Sequence, residues 1–255
     1  MKEIFNMWKG IYNSFDEASN HAVGAGFNGD IRHTRSLKSA KESLEALKAK
    51  RSIPSFYKQC STLLPPIAAM MLAGKEKIKI IDFGGRLGIG YLTLAESIPN
   101  AIDSIDYTII EVPERCELGR ELFEDDQVIF SDLLPQNGIF DMVHSSSALQ
   151  YIEEWKGLLT KLSTHNAEYI FLSDVFASAI LTFEILQNYC GSRIKHWFFN
   201  LEEFVSFLST LGYEVIMQSF VSSRRLDLED ILPIDNFPES HRLSQSLHLL
   251  LHRIS

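Results

Sequence analysis

The stretch "KIKIIDFGGRLGIG", residues 77–90, constrains the fold more than any other part of the chain. Its β-branched first half reads as a strand buried on both faces. The glycines that follow impose an abrupt turn, and "IGYLTLAESI" then reads as a helix. A strand, a glycine turn and a helix start form the opening unit of a doubly wound sheet.

The remainder continues the alternation. "DYTIIEV", "QVIFSD", "IFDMVHSS", "AEYIFLSDV", "YEVIMQSFV" and "SLHLLLHRI" read as six more strands. "PERCELGRELFE", "SALQYIEEWKGLLTKLS" and "NLEEFVSFLSTLG" read as helices; Asn200 caps the last and Gly212 closes it. Residues 1–75 are polar and read as helical, with "SAKESLEALKAKR" rich in strong helix formers and "PPIAAMMLAG" a short buried helix. Residues 175–200 form an insertion rich in aromatics, in which "FASAILTFEIL" reads as a core helix. Two regions follow from this: an N-terminal helical cap over 1–75, and an α/β domain over 76–255.

Asp82 narrows the choice of ligand. A phosphate favours the backbone amides of such a turn, but a carboxylate a few ångströms away repels it. Two unit charges about 4 Å apart interact by roughly 4 kcal/mol at an effective dielectric near 20. Against an ammonium or a sulfonium that energy is attractive, and S-adenosylmethionine carries both and no phosphate. Glu111 ends the second strand, where a carboxylate can accept from both ribose hydroxyls. Asp132 ends the third, within reach of an adenine amine, with Leu133 as apolar surface beside the ring. The pattern Gly84-x-x-x-Gly88-Ile89-Gly90 also fits an NAD(P)-dependent oxidoreductase of the short-chain type. The Tyr-x-x-x-Lys pair of those enzymes is missing from the chain, Tyr151 and Lys156 being one residue too far apart.

These residues resemble the motifs of a class I S-adenosylmethionine-dependent methyltransferase over residues 76–255: "IIDFGGRLG", "TIIEVP", "FSDLLP", "FDMVHSSSALQYIEEW" and "LSTLGYEVI". More narrowly, "WKGIYNSFDEA", "DFGGRLGIGY", "EVPERCELGRELF" and "SSSALQYIEEW" resemble a bacterial methyltransferase family associated with cell-surface polysaccharide biosynthesis. The resemblance implies a Rossmann-like, mostly parallel sheet of seven strands, the last antiparallel, with helices on both faces. It implies that Asp82, Gly84, Gly85, Gly88, Glu111 and Asp132 line the cofactor, with Ser145 and Ser146 beneath it. It also implies a small-molecule or sugar acceptor, with oxygen taking the methyl group and S-adenosylhomocysteine released. Arg86 stands where the broad pattern has glycine; its guanidinium either reaches the methionine carboxylate or marks a weakened site. A fold retained as a scaffold without turnover is the alternative.

No motif names a general base. Tyr151, Asp174 and His196 are the candidates, each with an ordinary structural reading as helix residue, cap or core histidine. His248 and His252 share a strand face, without a third ligand in view to make a metal site. The formal charge of -9 argues against nucleic acid and anionic membranes as partners. The three cysteines form no CxxC pair and read as reduced thiols of a cytoplasmic protein, possible as a homodimer. No apolar run is long enough to span a bilayer.

Overall fold

The computed structural model describes residues 5–24, 26, 30–123, 128–136, 138–189, 191–225, 228–229 and 231–254. Residues 1–4, at the start of the stretch expected to be helical, and Cys190 lie outside them.

The chain opens with a strand, Trp8–Tyr12 (β1), followed by the helices Phe15–Ser19 (α1), Asp30–Lys48 (α2), Ser55–Lys58 (α3) and Leu64–Leu72 (α4). The run before the glycine turn is Ile78–Phe83 (β2), and the turn leads into Ile89–Ser97 (α5). There follow Ala101–Ser104 (α6), Ile105–Ile110 (β3), Pro113–Leu122 (α7), Val128–Ser131 (β4) and Met142–Ser146 (β5). Trp155–Ser163 (α8) precedes Tyr169–Val175 (β6), Ala177–Ser178 (β7), Phe183–Tyr189 (β8) and Ser192–Asn200 (β9). The chain ends with Leu201–Thr210 (α9), Tyr213–Phe220 (β10), Arg224–Arg225 (β11), Leu228–Glu229 (β12) and Leu247–Arg253 (β13).

Seven strands form the main sheet in the order β10-β13-β6-β5-β2-β3-β4. The β2, β3, β4, β5 and β6 ladders are parallel, and β13 runs antiparallel to both its neighbours. This is the Rossmann-like sheet expected, with the last strand reversed. Alternation along β2 divides the core in two. Ile78 and Ile80 pack with Tyr107, Phe171 and the apolar faces of α4 and α5, while Ile81 packs with Val143, Leu172, Trp155 and Phe204 on the side of α8 and α9. Each such side chain, fully buried, contributes about 1.5–3 kcal/mol. The cap helices are tied down by Glu96 of α5, which accepts from the Ile53 amide (2.7 Å) and the Lys58 ammonium (2.6 Å).

The part of residues 175–200 read as a helix, residues 176–186, is not helical, and the insertion's residues are largely extended. They form β7, β8 and β9, and these join β1 in a second sheet ordered β1-β8-β9-β7. Phe183 and Ile185 face a third core containing Trp8, Phe176, Phe198, Leu232 and Phe237, while Glu184 and Leu186 face the opposite way and are buried as well. With both faces covered, the apolar run loses the period of two that marks a strand. The N-terminal stretch is likewise not all helix, because Trp8 and Lys9 pair with Gln187 and Leu186 of β8. The helix expected from Ser147 begins only at Trp155; Leu149–Tyr151 form a single 3-10 turn. Among the described residues no helix is long and apolar enough to cross a membrane.

Candidate active site

The glycine turn begins where β2 ends at the centre of the sheet. Gly88 has φ 79° and starts α5, its carbonyl accepting from Leu92. That left-handed geometry is one that side chains rarely adopt. A Cβ at Gly85 would collide with the Asp82 carboxylate below, and one at Gly84 with the Ala148 side chain opposite. The turn is therefore closely packed between an acid and the loop that follows β5.

Asp82 sits beneath the turn, 2% exposed. Its Oδ2 accepts from the Tyr107 hydroxyl at 2.7 Å, and Oδ1 lies 2.9 Å from Nδ1 of His144. Burial, followed by this carboxylate, holds the Tyr107 phenol well above its ordinary value, so it stays protonated as the donor. The sequence places Asp82 within a few ångströms of the turn's ligand; in the structure it lies beneath the turn, beside Tyr107 and His144. The reason is register: Asp82 shares the inward face of β2 with Ile78 and Ile80.

Glu111 approaches the same turn from the side. Its Oε1 accepts from Nη1 of Arg115 (2.7 Å) and from the Arg86 amide (3.1 Å), and Oε2 accepts from the Val112 amide (3.0 Å). Arg86 is exposed at φ 55°, a left-handed conformation costing a non-glycine residue about 1–2 kcal/mol. Asp132 is exposed one strand further out. Beside it Leu133 is 72% exposed, and Val112 is 38% exposed. Ser145 donates to the Phe83 carbonyl (3.0 Å), and Ser146 to the Cys60 carbonyl (3.4 Å).

The catalytic candidates lie on the other side of the turn. Asp174 is next to last in β6 at φ 57° and Ser147 follows β5 at φ 53°. The two are joined by a Ser147 hydroxyl hydrogen bond to Oδ2 (2.5 Å). Oδ1 accepts from the Ser246 hydroxyl and from Nη2 of Arg225 (2.6 Å). Burial would raise the Asp174 carboxyl, but the Arg225 guanidinium and the two hydroxyls outweigh it and hold it below its ordinary value. Cys60 is in the same cluster, its thiol pushed up to about 12 by burial and then by Asp174. Its carbonyl also accepts from Ser173, whose hydroxyl lies 2.9 Å from Nδ1 of His248. The Tyr151 hydroxyl donates to Oε1 of Gln187 (2.7 Å), and the Tyr151 ring meets His196 edge-on at 5.0 Å. His196 is enclosed by Trp8, Phe176 and Phe198, and burial pulls it down to about 3.

Asp82, Gly84, Gly85, Arg86, Gly88 and Glu111 thus surround one turn, with Asp132 and Leu133 just after β4 and Ser145 and Ser146 on β5. Cys60, Ser147, Gln187 and Arg225 complete the neighbourhood unforeseen, because their partners are distant in sequence. Arg115 had a readable signal, standing four residues after Glu111 at a helix start. Among the described residues no group of three or more His, Cys, Asp or Glu side chains is placed to hold a metal.

Glu111 uses three of its roughly four lone-pair directions, and the bare Leu133 and Val112 side chains offer apolar surface beside it. Residues 55–218, well over half of the chain, match the methyltransferase domain family. No curated protein matches the sequence. Among solved structures, 1,6-didemethyltoxoflavin-N1-methyltransferase from Burkholderia thailandensis, with bound 1,6-didemethyltoxoflavin and S-adenosylhomocysteine, is 13% identical. That alignment covers 92% of this chain and 94% of that one, with a TM-score of 0.51. A methyltransferase of Methanosarcina mazei dependent on S-adenosylmethionine is 14% identical over 74% and 97% of the two chains, TM-score 0.54. The N-terminal domain of EvdMO1, in the presence of SAH and D-fucose, is 16% identical over 76% and 84%, TM-score 0.50.

The fold is that of the class I methyltransferases, and the chain belongs to the methyltransferase domain family. It is an S-adenosylmethionine-dependent methyltransferase.

Proposed function

We propose that the protein methylates an oxygen of a small hydroxylated molecule, a sugar or glycan precursor among them. The observation that carries this reading is the pairing of Asp174, near the end of β6, with Arg225 of β11. Their charges cancel, leaving Ser147, Tyr151 and the Cys60 thiol as a neutral hydrogen-bonding wall beside the aromatic second sheet. Such a wall suits hydroxyl groups better than a strongly charged acceptor. The resemblance of four sequence stretches to the polysaccharide-associated family supports the same class, as does the presence of D-fucose with the EvdMO1 domain.

In this reading the turn amides, Glu111, Asp132 and the Leu133 side chain hold the donor, with Arg86 at its methionine end. Asp82, Gly84, Gly85, Gly88, Ser145 and Ser146 keep the floor in shape. S-adenosylmethionine supplies an activated methyl group when bound. The chain's own task is to align the acceptor and exclude water. Asp174 positions Ser147 and Arg225. Tyr151, its proton given to Gln187, presents its oxygen to an incoming hydroxyl.

Calorimetric titration with S-adenosylmethionine, S-adenosylhomocysteine and NAD(H), followed by turnover on nucleotide sugars and glycolipid precursors, tests this. Binding of NAD(H) alone would end it; methylation at nitrogen would end the oxygen assignment. One observation favours a second reading, a cofactor-binding scaffold without turnover. Asp174 is saturated by donors, His196 is enclosed with a pKa of about 3, and Tyr151 is already a donor, so none is a free base. Turnover on any acceptor removes that reading.

A further inference from the structure

We infer that Arg115 is a positioning residue of the donor site, and that through it Glu111 reads a single ribose hydroxyl. The inference rests on the reading that the donor's nucleoside lies against Glu111.

Three donors converge on the Glu111 carboxylate. The Arg115 guanidinium, one helical turn on in α7, and the Arg86 amide share Oε1; the Val112 amide takes Oε2. Arg115 and Glu111 are both buried, which makes the pair a charge-assisted contact with little freedom to swing away. A carboxylate offers about four acceptor directions, so one remains, on Oε2. A vicinal diol presents two hydroxyls. With Oε1 committed to Arg115 and to the turn, Glu111 has room for one of them.

The arrangement also links donor recognition to the shape of the turn. The oxygen held by Arg115 is the one that accepts the Arg86 amide, where the backbone takes its left-handed conformation. Arg115 therefore fixes the carboxylate against the turn without touching the nucleoside. Pro113 sets the first turn of α7 and Cys116 donates to the Glu111 carbonyl at 3.3 Å, so the helix start carrying Arg115 is itself fixed to the strand end.

The test is calorimetric titration of S-adenosylhomocysteine and its 2′-deoxy and 3′-deoxy analogues into the wild-type protein and the variants Glu111→Gln, Arg115→Lys, Arg115→Met and Glu111→Gln/Arg115→Met. The wild type should bind one deoxy analogue as well as the parent and the other about tenfold more weakly, the value of one hydrogen bond to a charged group. In Arg115→Met the parent should fall toward the weaker analogue, so that the ratio collapses, and Arg115→Lys should restore part of it. Glu111→Gln should collapse the ratio too, with no further change in the double variant. If Arg115 only packs the helix, all three ligands weaken in parallel and the ratio survives, which overturns the inference. Equal discrimination against both analogues overturns the single-hydroxyl reading. Failure of the wild type to bind S-adenosylhomocysteine would instead remove the donor site itself. Should Arg115→Met not fold, Arg115→Lys, which keeps the charge beside Glu111, carries the same comparison.

Discussion

The Tyr151 hydroxyl donates to Oε1 of Gln187 at 2.7 Å, joining the turn after β5 to a central strand of the second sheet. Tyr151→Phe breaks this link and leaves the Gln187 carbonyl without that donor. The variant should lose about 1 kcal/mol of stability in urea unfolding. Its S-adenosylhomocysteine affinity should be unchanged, while turnover on an accepted substrate falls at least tenfold. Equal turnover would show that Tyr151 only braces the sheet.

Asp174→Asn tests the charge at the end of β6. Asparagine tolerates the left-handed backbone, so the measured loss reports the missing charge rather than strain. Removing one member of a buried pair leaves Arg225 uncompensated and should cost about 3 kcal/mol. Combination with Arg225→Met should recover much of that loss in the same unfolding experiment.

Glu184 makes stability fall as pH rises from about 4.5 to neutrality. It is buried within β8, and burial, followed by repulsion from Glu153, raises it to about 7 from 4.5. The raised folded value means that its contribution is complete below about pH 4.5, declines as pH rises toward 7, and is lost above that. Glu184→Gln should therefore match the wild type at pH 4 and exceed it by on the order of 1–3 kcal/mol at pH 8.

His196 acts in the opposite direction. Its folded value of about 3 lies below its ordinary 6.5, so its contribution is present above pH 6.5 and is lost as pH falls toward 3. His196→Phe, which keeps an aromatic ring in the cage, should shift the acid-unfolding midpoint to lower pH, as followed by near-ultraviolet circular dichroism.

Arg86→Gly relieves a left-handed residue in the turn and should raise stability by up to about 1 kcal/mol. If the guanidinium reaches the methionine carboxylate, S-adenosylmethionine affinity falls several-fold at the same time. A gain in stability with unchanged affinity would assign the arginine no role in holding the donor.

How much of this was readable in the sequence depended on the range of each interaction. The seven main strands, the α7 start at Pro113 and the Asn200 cap, whose side chain accepts from the Glu203 amide at 2.8 Å, rest on local signals. So does the turn at Gly84–Gly88. Residues 176–186 misled because β8 is buried on both faces and its apolar spacing fits a helix as well as a strand. "WKGIY" carried no sign that its partner was β8. The acids at the strand ends were visible as residues, but the partners of Asp82, Tyr107 and His144, were not, because each comes from a neighbouring strand.

The pairing of β1 with β8 has a consequence for the order of events during synthesis. Trp8 is wholly enclosed, and its carbonyl accepts from the Asn236 side chain, 228 positions later. The core around Trp8 cannot close until residues through Asn236 have left the ribosome. A nascent chain halted before Leu232 would leave Trp8 and its aromatic neighbours without Leu232, Ile234, Phe237 and Leu243, the late residues of their core.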